Sequence, residues 1–215
     1  MAGRRGHWEE IYRSRAEDDL GWYEAEAALS LELIAAHAQP GEAIIDAGGG
    51  RSRLVDGLLS RGLGPVTVLD LSATALEGSR TRLGARASEV EWIEADITEW
   101  QPTPGRDWSI WHDRAVFHFL TEPADRALYV SAMRAALAPG GLAIMATFAE
   151  DGPERCAGLA VQRWSSQALA AELHRIAPER FALIDGRRHV HRTPSGVEQP
   201  YRITLLRHHA SRGIS

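Results

Sequence analysis

The most informative segment of this 215-residue sequence reads Ile44-Ile45-Asp46-Ala47-Gly48-Gly49-Gly50-Arg51-Ser52. It follows Pro40-Gly41, a turn signal, and its apolar start predicts a short buried strand over residues 42–47. Glycines directly after such a strand let the backbone turn tightly and approach a ligand closely. The alternative is a tight turn without a ligand, in which Asp46 is a solvated acid at the end of the strand.

Strand and helix patterns alternate on the C-terminal side of this segment. Further strands are predicted over residues 65–70, 89–95, 107–112 and 142–148. Helical patterns cover Ser52–Ser60, the residues after the capping Ser72, and Ala115 to Leu137, after which Pro139-Gly140-Gly141 predicts a turn. The alternation predicts an α/β fold with a doubly wound, mostly parallel sheet and helices on both faces.

The C-terminal part has a different pattern. Residues 181–192 and 200–207 read as two strands that only residues 193–199 connect. So short a connection predicts a hairpin, and an antiparallel pair therefore closes a seven-stranded sheet. We predict a single domain with three parts: an N-terminal helical arm or lid at 1–40, a cofactor-binding core at 41–150, and a substrate loop with the hairpin at 151–215.

The composition excludes several classes of function. The net charge of −5 gives no general attraction for polyanions, so we expect no nucleic-acid partner. No apolar run approaches the ~20 residues that span a bilayer, so we expect no membrane association, and no secretory signal is expected. All 24 basic residues are arginine, which excludes a Schiff-base or general-base lysine.

Cysteine and histidine usage predicts a reducing compartment and no metal site. The single cysteine, Cys156, cannot form an internal disulfide, which favours the cytoplasm. His189 and His191 face one way in a predicted strand, but no third ligand follows with suitable spacing.

Two further acids extend the glycine-rich segment into a candidate nucleoside site. Asp70 ends the second predicted strand, 24 positions after Asp46 (70 − 46), and Asp96 follows the third strand. Asp70 is suited to accept hydrogen bonds from both ribose hydroxyls, and Asp96 to accept one from an adenine amino group with Ile97 against the ring. Three acids at the ends of three consecutive strands, all on one edge of the sheet, rarely coincide by chance.

The glycine-rich segment also restricts the kind of nucleoside. The nicotinamide fingerprint G-x-G-x-x-G requires glycine where this chain has Arg53, and a phosphate-binding Gly-Lys-Ser motif is impossible without lysine. The pattern hydrophobic-Asp-x-Gly-x-Gly resembles motif I of the class I S-adenosylmethionine-dependent methyltransferases. Asp70, Asp96 and the hairpin resemble later elements of that family, so the resemblance covers most of the chain. Ser52 departs from the pattern, because the family often has a further glycine there.

The resemblance implies S-adenosyl-L-methionine as the cofactor. The expected cofactor contacts are Trp22, Asp46, Gly48, Gly50, Asp70, Leu71, Asp96, Ile97 and Asp113. In this assignment, Gly48 and Gly50 pass the backbone beside the methionine moiety, and Asp46 orders their loop. Asp70 holds the ribose and Asp96 holds the adenine.

The end of the fourth strand, His112-Asp113-Arg114, is expected to lie beside the sulfonium. A carboxylate near a sulfonium is electrostatically favourable. His112 and Asp113 are therefore the candidate catalytic residues for taking a proton from the acceptor, with His118 further away. The alternative is an Asp113–Arg114 pair that caps the start of a helix.

Looser similarities concern the acceptor. Asp113-Arg114, Pro123-Ala124-Asp125-Arg126 and the N-terminal aromatic residues resemble thiopurine-type S-methyltransferases, which implies a small, soft acceptor. The arm also resembles that of the seven-strand protein-lysine methyltransferases. Trp22 and Tyr23 are assigned to the site and Trp8 and Tyr12 to packing. The segment 147–158 is placed to shape an acceptor pocket, with Cys156 as a passive residue.

The sequence thus predicts an S-adenosylmethionine-dependent methyltransferase that transfers a methyl group by in-line displacement to a small-molecule acceptor. The alternatives are a protein lysine or amine acceptor, an S-adenosylmethionine-binding protein without catalysis, and a nicotinamide oxidoreductase. The acceptor atom, the use of a general base and the oligomeric state stay open.

Overall fold

The computed structural model describes residues 2–210. The helices in this range are α1 Ala2–Ser14, α2 Ala28–His37, α3 Leu54–Ser60, α4 Ala73–Leu83, α5 Pro123–Ala136 and α6 Ser166–Ile176. The strands are β1 Ile44–Ala47, β2 Val66–Asp70, β3 Val90–Glu94, β4 Trp108–Arg114, β5 Leu137–Phe148, β6 Arg155–Cys156, β7 Leu159–Ala160, β8 Phe181–Arg192 and β9 Glu198–His208. Short 3₁₀ turns occupy Glu17–Asp19, Gly84–Glu89 and Phe117–Phe119.

Seven strands form one sheet in the order β3-β2-β1-β4-β5-β9-β8, and β6 pairs separately with β7. Neighbouring strands among β1 to β5 are parallel, whereas β9 is antiparallel to both β5 and β8. The predicted mostly parallel sheet with a C-terminal antiparallel hairpin is therefore confirmed. The residues of β1 and β2 are all buried, which explains why these strands are short and mainly apolar.

Both faces of the sheet are covered by helices. Successive strand residues point to opposite faces: Ile44 packs in an apolar cluster with residues of α2 and α3, and Ile45 in a cluster with residues of α5 and α6. With both faces packed, the carboxyl edge of the sheet is the place where the chain can present polar groups to a ligand.

Two local predictions are wrong. The helix predicted from Ala115 to Leu137 is interrupted, because a 3₁₀ turn occupies Phe117–Phe119 and α5 begins at Pro123. Proline fits the first turn of a helix but not its interior. The predicted turn at Pro139-Gly140-Gly141 lies within β5, where a shift of register against β4 accommodates these residues.

The N-terminal helix α1 lies across the carboxyl edge of the sheet. Its Glu9 carboxylate accepts a hydrogen bond from the Thr74 N–H at the start of α4, and its Arg5 donates to the Leu71 carbonyl at 2.9 Å. On the other side, His7 Nε2 lies 3.0 Å from the carbonyl oxygen of Ala157, between β6 and β7. α1 therefore forms a roof over the ends of the parallel strands. Within residues 2–210 no helix is both long and apolar enough to cross a bilayer, and the cytoplasmic location stays a prediction.

Candidate active site

A crevice lies at the carboxyl edge of the sheet, beneath α1. The strand register places the ends of the strands side by side, with Ala47 paired to both Leu69 and Asp113, and Asp70 paired to Glu94. The walls of the crevice include six residues of the expected cofactor set: Trp22, Gly48, Asp70, Leu71, Asp96 and Ile97. Folding thus brings together residues that are up to 75 positions apart in the sequence (97 − 22).

The turn after β1 requires glycine at two positions. Gly48 has a φ of +75°, and a Cβ atom there would lie 2.0 Å from Val116 Cγ2. Gly50 has a φ of +50°, and its Cβ would lie 2.6 Å from Tyr12 Oη. A side chain at either position would combine a left-handed backbone with a collision, so only glycine fits.

Asp46 and His112 form a buried polar pair below the glycine turn. His112 Nδ1 lies 2.7 Å from Asp46 Oδ1, and His112 Nε2 lies 2.9 Å from Ser30 Oγ. Both ring nitrogens are therefore occupied inside the protein, and the residue is only 2% exposed. His112 lines the pocket beside the crevice, but both its ring nitrogens are engaged, so this geometry does not support its predicted role of taking a proton from an acceptor. His112 instead holds the Asp46 carboxylate in place.

Asp113 is fully buried and fastens the turn that follows β4. Its Oδ1 accepts the Val116 N–H at 2.8 Å, and its Oδ2 accepts the Phe117 N–H at 3.0 Å and the Tyr129 hydroxyl. Burial raises the pKa of Asp113 to about 6, although these hydrogen bonds oppose the increase. The turn contains Ala115 with a φ of +70°, a strained conformation that needs such support. This geometry does not support the predicted catalytic and cofactor-contact roles of Asp113. Asp113 accepts backbone N–H groups of the turn, as in the capping alternative, but without the pair with Arg114 that the alternative included.

Asp70 presents a buried carboxylate to the crevice at the end of β2. Its Oδ1 accepts the Ser72 N–H at 2.8 Å. Burial raises the pKa of Asp70 to about 7; the backbone N–H groups of Ser72 and Gly50 oppose the increase and the negative charge of Asp46 adds to it. A carboxylate in this environment is stabilised by any further hydroxyl donors that a ligand brings.

Asp96 follows β3 and is held by hydrogen bonds from two sides. Its Oδ1 accepts the Thr98 N–H at 2.9 Å and the Thr98 hydroxyl at 2.7 Å. Its Oδ2 lies 3.5 Å from Nη1 of Arg4, a crevice residue on α1 that the sequence analysis missed. Ile97, which is 6% exposed, supplies an apolar wall beside the carboxylate.

Aromatic side chains from the arm close the crevice from above. The ring of Trp8 lies 5.1 Å from that of Phe119 and 5.7 Å from that of Trp22, and Tyr12 lies 6.2 Å from Trp22. All four rings line the crevice. The assignment of Trp8 and Tyr12 to packing alone was therefore incomplete. Their spacing of four residues, which places both on one face of a helix, was the available signal.

A second pocket adjoins the crevice. Four residues line both cavities: Tyr12, Trp22, Gly48 and Arg114. The second pocket contains side chains of both charges, including Glu17, Glu24 and Arg53. Arg114 donates to the Trp22 carbonyl at 2.8 Å and to Glu24 Oε1 at 2.9 Å, instead of pairing with the preceding aspartate.

The remaining cysteine and histidine candidates of the sequence analysis are buried or hydrogen-bonded within the protein. Cys156 lines the crevice and is buried, which raises the pKa of its thiol to about 11, so it is a neutral thiol. His118 is fully buried, and burial lowers its pKa to about 3. His191 Nε2 lies 2.9 Å from the Gly21 carbonyl oxygen. Among residues 2–210, no three His, Cys, Asp or Glu side chains form a group that could hold a metal ion.

Comparisons with known proteins agree with this architecture. Residues 44–141 match the family described as "Methyltransferase domain". The fold is similar to that of a Burkholderia thailandensis 1,6-didemethyltoxoflavin-N1-methyltransferase solved with 1,6-didemethyltoxoflavin and S-adenosylhomocysteine (TM-score 0.73, 21% identity, 97% of this chain and 88% of that chain covered). It is also similar to an Anabaena variabilis S-adenosylmethionine-dependent methyltransferase (TM-score 0.71, 16% identity, 95% of each chain). A comparison with curated protein sequences finds no match.

The fold is that of the class I, Rossmann-like S-adenosylmethionine-dependent methyltransferases, as the sequence resemblance predicts. Residues 44–141, a little under half of the chain, are similar to the methyltransferase domain family, and this similarity agrees with the predicted cofactor, S-adenosylmethionine. The departure at Ser52 has a structural reason, because the Ser52 hydroxyl accepts the Leu54 N–H at 3.1 Å where α3 begins.

Proposed function

We propose that this chain transfers a methyl group from S-adenosylmethionine to a small-molecule acceptor in the crevice beneath α1. The observation that carries the proposal is the convergence of Gly48, Asp70 and Asp96 on one crevice. These residues end or follow three neighbouring strands, β1, β2 and β3. Ligands of doubly wound sheets bind at this edge.

The crevice fits the adenosyl part of the cofactor. Asp70 would accept hydrogen bonds from the ribose hydroxyls. Because burial disfavours the ionised carboxylate of Asp70, these added donors would stabilise it. Asp96 would accept a hydrogen bond from the adenine amino group, with Ile97 and Leu71 flanking the ring. Gly48 lines the crevice and carries no side chain, so the backbone of the turn can approach the sulfonium closely.

The second pocket suits the amino-acid end of the cofactor. That end carries an ammonium and a carboxylate, and the pocket contains Glu17 and Glu24 together with Arg53 and Arg114. Because Gly48 lines both cavities, it would lie where the two parts of the cofactor join. Trp22, which also lines both, would contact the sulfonium with its aromatic face.

The roof over the crevice supports a small acceptor over a protein side chain. Arg4 reaches Asp125 at 2.5 Å, and Arg5 reaches Glu94 at 2.5 Å, so α1 is fastened beyond the crevice at two points. An open acidic groove for a peptide would lack this cover.

The mechanism that follows is orientation with exclusion of water. When bound, S-adenosylmethionine supplies an activated methyl group on a good leaving group. The chain holds donor and acceptor in line, which can lower the barrier by up to ~7–11 kcal/mol, and the aromatic roof keeps water out. His112 and Asp113 support the site: His112 lines the second pocket and holds Asp46 below the glycine turn, and Asp113 fastens the turn that carries Val116 against Gly48.

Calorimetry with S-adenosylmethionine, S-adenosylhomocysteine and NAD tests this proposal. We expect the first two to bind and NAD not to bind. Asp70→Asn should weaken binding of S-adenosylmethionine by about tenfold or more, the effect of losing a charged hydrogen-bond acceptor. Asp107→Asn, at an exposed position, is the matched control and should bind as the wild type does. Binding of NAD alone, or equal affinity in both variants, would refute the assignment of the crevice.

An acceptor screen tests the second half of the proposal. Thiols, phenols, amines and short peptides are compared for methyl transfer in the presence of S-adenosylmethionine. We expect turnover with compounds that fit beneath the roof and none with peptides. Turnover with lysine-containing peptides alone would replace the small-molecule acceptor by a protein acceptor.

A further inference from the structure

Two side chains on α4 hold three consecutive carbonyl groups of the glycine-rich turn. Ser79 Oγ donates to the Gly50 carbonyl at 2.9 Å. One helical turn further on, Arg82 donates to the carbonyl of Arg51 at 3.2 Å and to that of Ser52 at 2.8 Å. A hydrogen bond of 3.3 Å from Arg82 to Ser79 Oγ connects the two side chains.

These contacts determine which way the backbone donors of the turn point. In a trans peptide, the carbonyl oxygen and the N–H that follows it lie on opposite sides of the chain. Because α4 holds the carbonyls of Gly50 and Ser52, the N–H groups of Arg51 and Arg53 point away from α4. Arg51 and Arg53 both line the second pocket, which the proposed function gives to the amino-acid end of the cofactor.

Arg82 is held firmly at this position. Its side chain is 14% exposed and pairs with Glu17 of the arm at 2.9 Å and with Asp56 of α3 at 2.8 Å. Ser79 is 1% exposed. A guanidinium has five N–H donors in a rigid plane, which is why one side chain can bond two carbonyls and two carboxylates.

We propose that Ser79 and Arg82 are positioning residues that preset the glycine-rich turn for the amino-acid end of S-adenosylmethionine. This inference rests on the proposed function and extends it to residues that do not line the crevice. Removing either side chain frees the turn, while Asp70 and Asp96 still hold the adenosyl part. The two residues therefore act on one end of the cofactor and not on the other.

Two ligands test the two ends of the cofactor site separately. S-adenosylhomocysteine and 5′-methylthioadenosine share the adenosyl thioether, but only S-adenosylhomocysteine carries the amino-acid group. Dissociation constants are measured by calorimetry on the full chain. Arg82→Gln should raise the Kd for S-adenosylhomocysteine by about 10- to 100-fold, and Ser79→Ala by up to about tenfold, as expected for a charged and a neutral donor. The Kd for 5′-methylthioadenosine should stay unchanged in both variants.

Matched variants distinguish positioning from a loss of stability. Asp56→Asn removes an ion pair of Arg82 but leaves both carbonyl contacts, so it should lower the melting temperature without changing either Kd. Arg82→Lys retains a charged donor but not the planar fork, so its affinity for S-adenosylhomocysteine should fall between those of wild type and Arg82→Gln.

The outcomes are separable. A wild-type protein that binds neither ligand refutes the proposed function and this inference with it. Suppose instead that wild type binds both ligands. The positioning role alone is then overturned if Arg82→Gln leaves both dissociation constants at their wild-type values, or raises both by the same factor. If Arg82→Gln does not fold, the ratio of the two dissociation constants in Ser79→Ala decides the question in the same way.

Discussion

Asp70→Asn should stabilise the ligand-free protein while it weakens cofactor binding. Burial raises the pKa of Asp70 from 3.8 to about 7, so the folded state disfavours the ionised carboxylate. At ~1.4 kcal/mol for each pH unit, this difference amounts to about 4 kcal/mol above pH 7. An acid with a raised pKa contributes no penalty below its unfolded-state pKa, and stability is lost as the pH rises toward the folded-state pKa. Asparagine stays neutral and retains an oxygen that can accept the Ser72 N–H.

Urea denaturation of wild type and variant without cofactor measures this effect. Between about pH 5 and about pH 8, the free energy of unfolding of Asp70→Asn relative to wild type should increase by about 2–3 kcal/mol, because about 1–2 kcal/mol of the penalty is already present at about pH 5. Subtracting wild type cancels the titration of groups that do not interact with Asp70.

Cofactor binding supplies the second readout. The affinity of wild type for S-adenosylmethionine should increase as the pH rises through about 7, because the ionised carboxylate is the better acceptor for hydroxyl donors. Asp70→Asn should lose this pH dependence. A stability difference between variant and wild type that is constant with pH, or a variant less stable than wild type at about pH 8, would show that the Asp70 environment has been misjudged.

Three further substitutions test the turns around the crevice. Gly48→Ala should destabilise the protein by about 2–5 kcal/mol in urea denaturation, since it forces a left-handed alanine and a Cβ 2.0 Å from Val116; an effect below about 1 kcal/mol would contradict the collision. At about pH 4, where little ionisation penalty remains to be relieved, Asp113→Ala should cost about 1–3 kcal/mol, because it leaves the buried Val116 and Phe117 N–H groups without their acceptor, and an unchanged stability would argue against its fastening role. Ser72→Ala should cost about 1 kcal/mol, because the Ser72 hydroxyl accepts the Ala75 N–H at the start of α4, and thermal unfolding with no loss would show that this cap is dispensable.

The amino-acid sequence alone determined the sheet and three residues at neighbouring strand ends that line the crevice, Gly48, Asp70 and Asp96. The short apolar runs before Asp46 and Asp70 predict strands, because a strand that is buried on both faces is apolar along its length and does not alternate with polar residues. The glycines after β1 predict a tight turn, because few other residues tolerate a positive φ. The positions of Asp70 and Asp96 at one edge then follow from the parallel connection of consecutive strands.

Only the tertiary structure decided which residues beyond these reach the crevice. His112 and Asp113 are neighbours on β4, so their side chains leave opposite faces of the sheet, and what each face meets depends on helices far away in the sequence. Ser30 and Tyr129, which hydrogen-bond these two residues, lie 82 and 16 positions away from them. The roof formed by Trp8 and Tyr12, and the hold of Arg82 on the glycine-rich turn, likewise depend on packing between helices, because no local pattern in the chain specifies which helix lies against which turn.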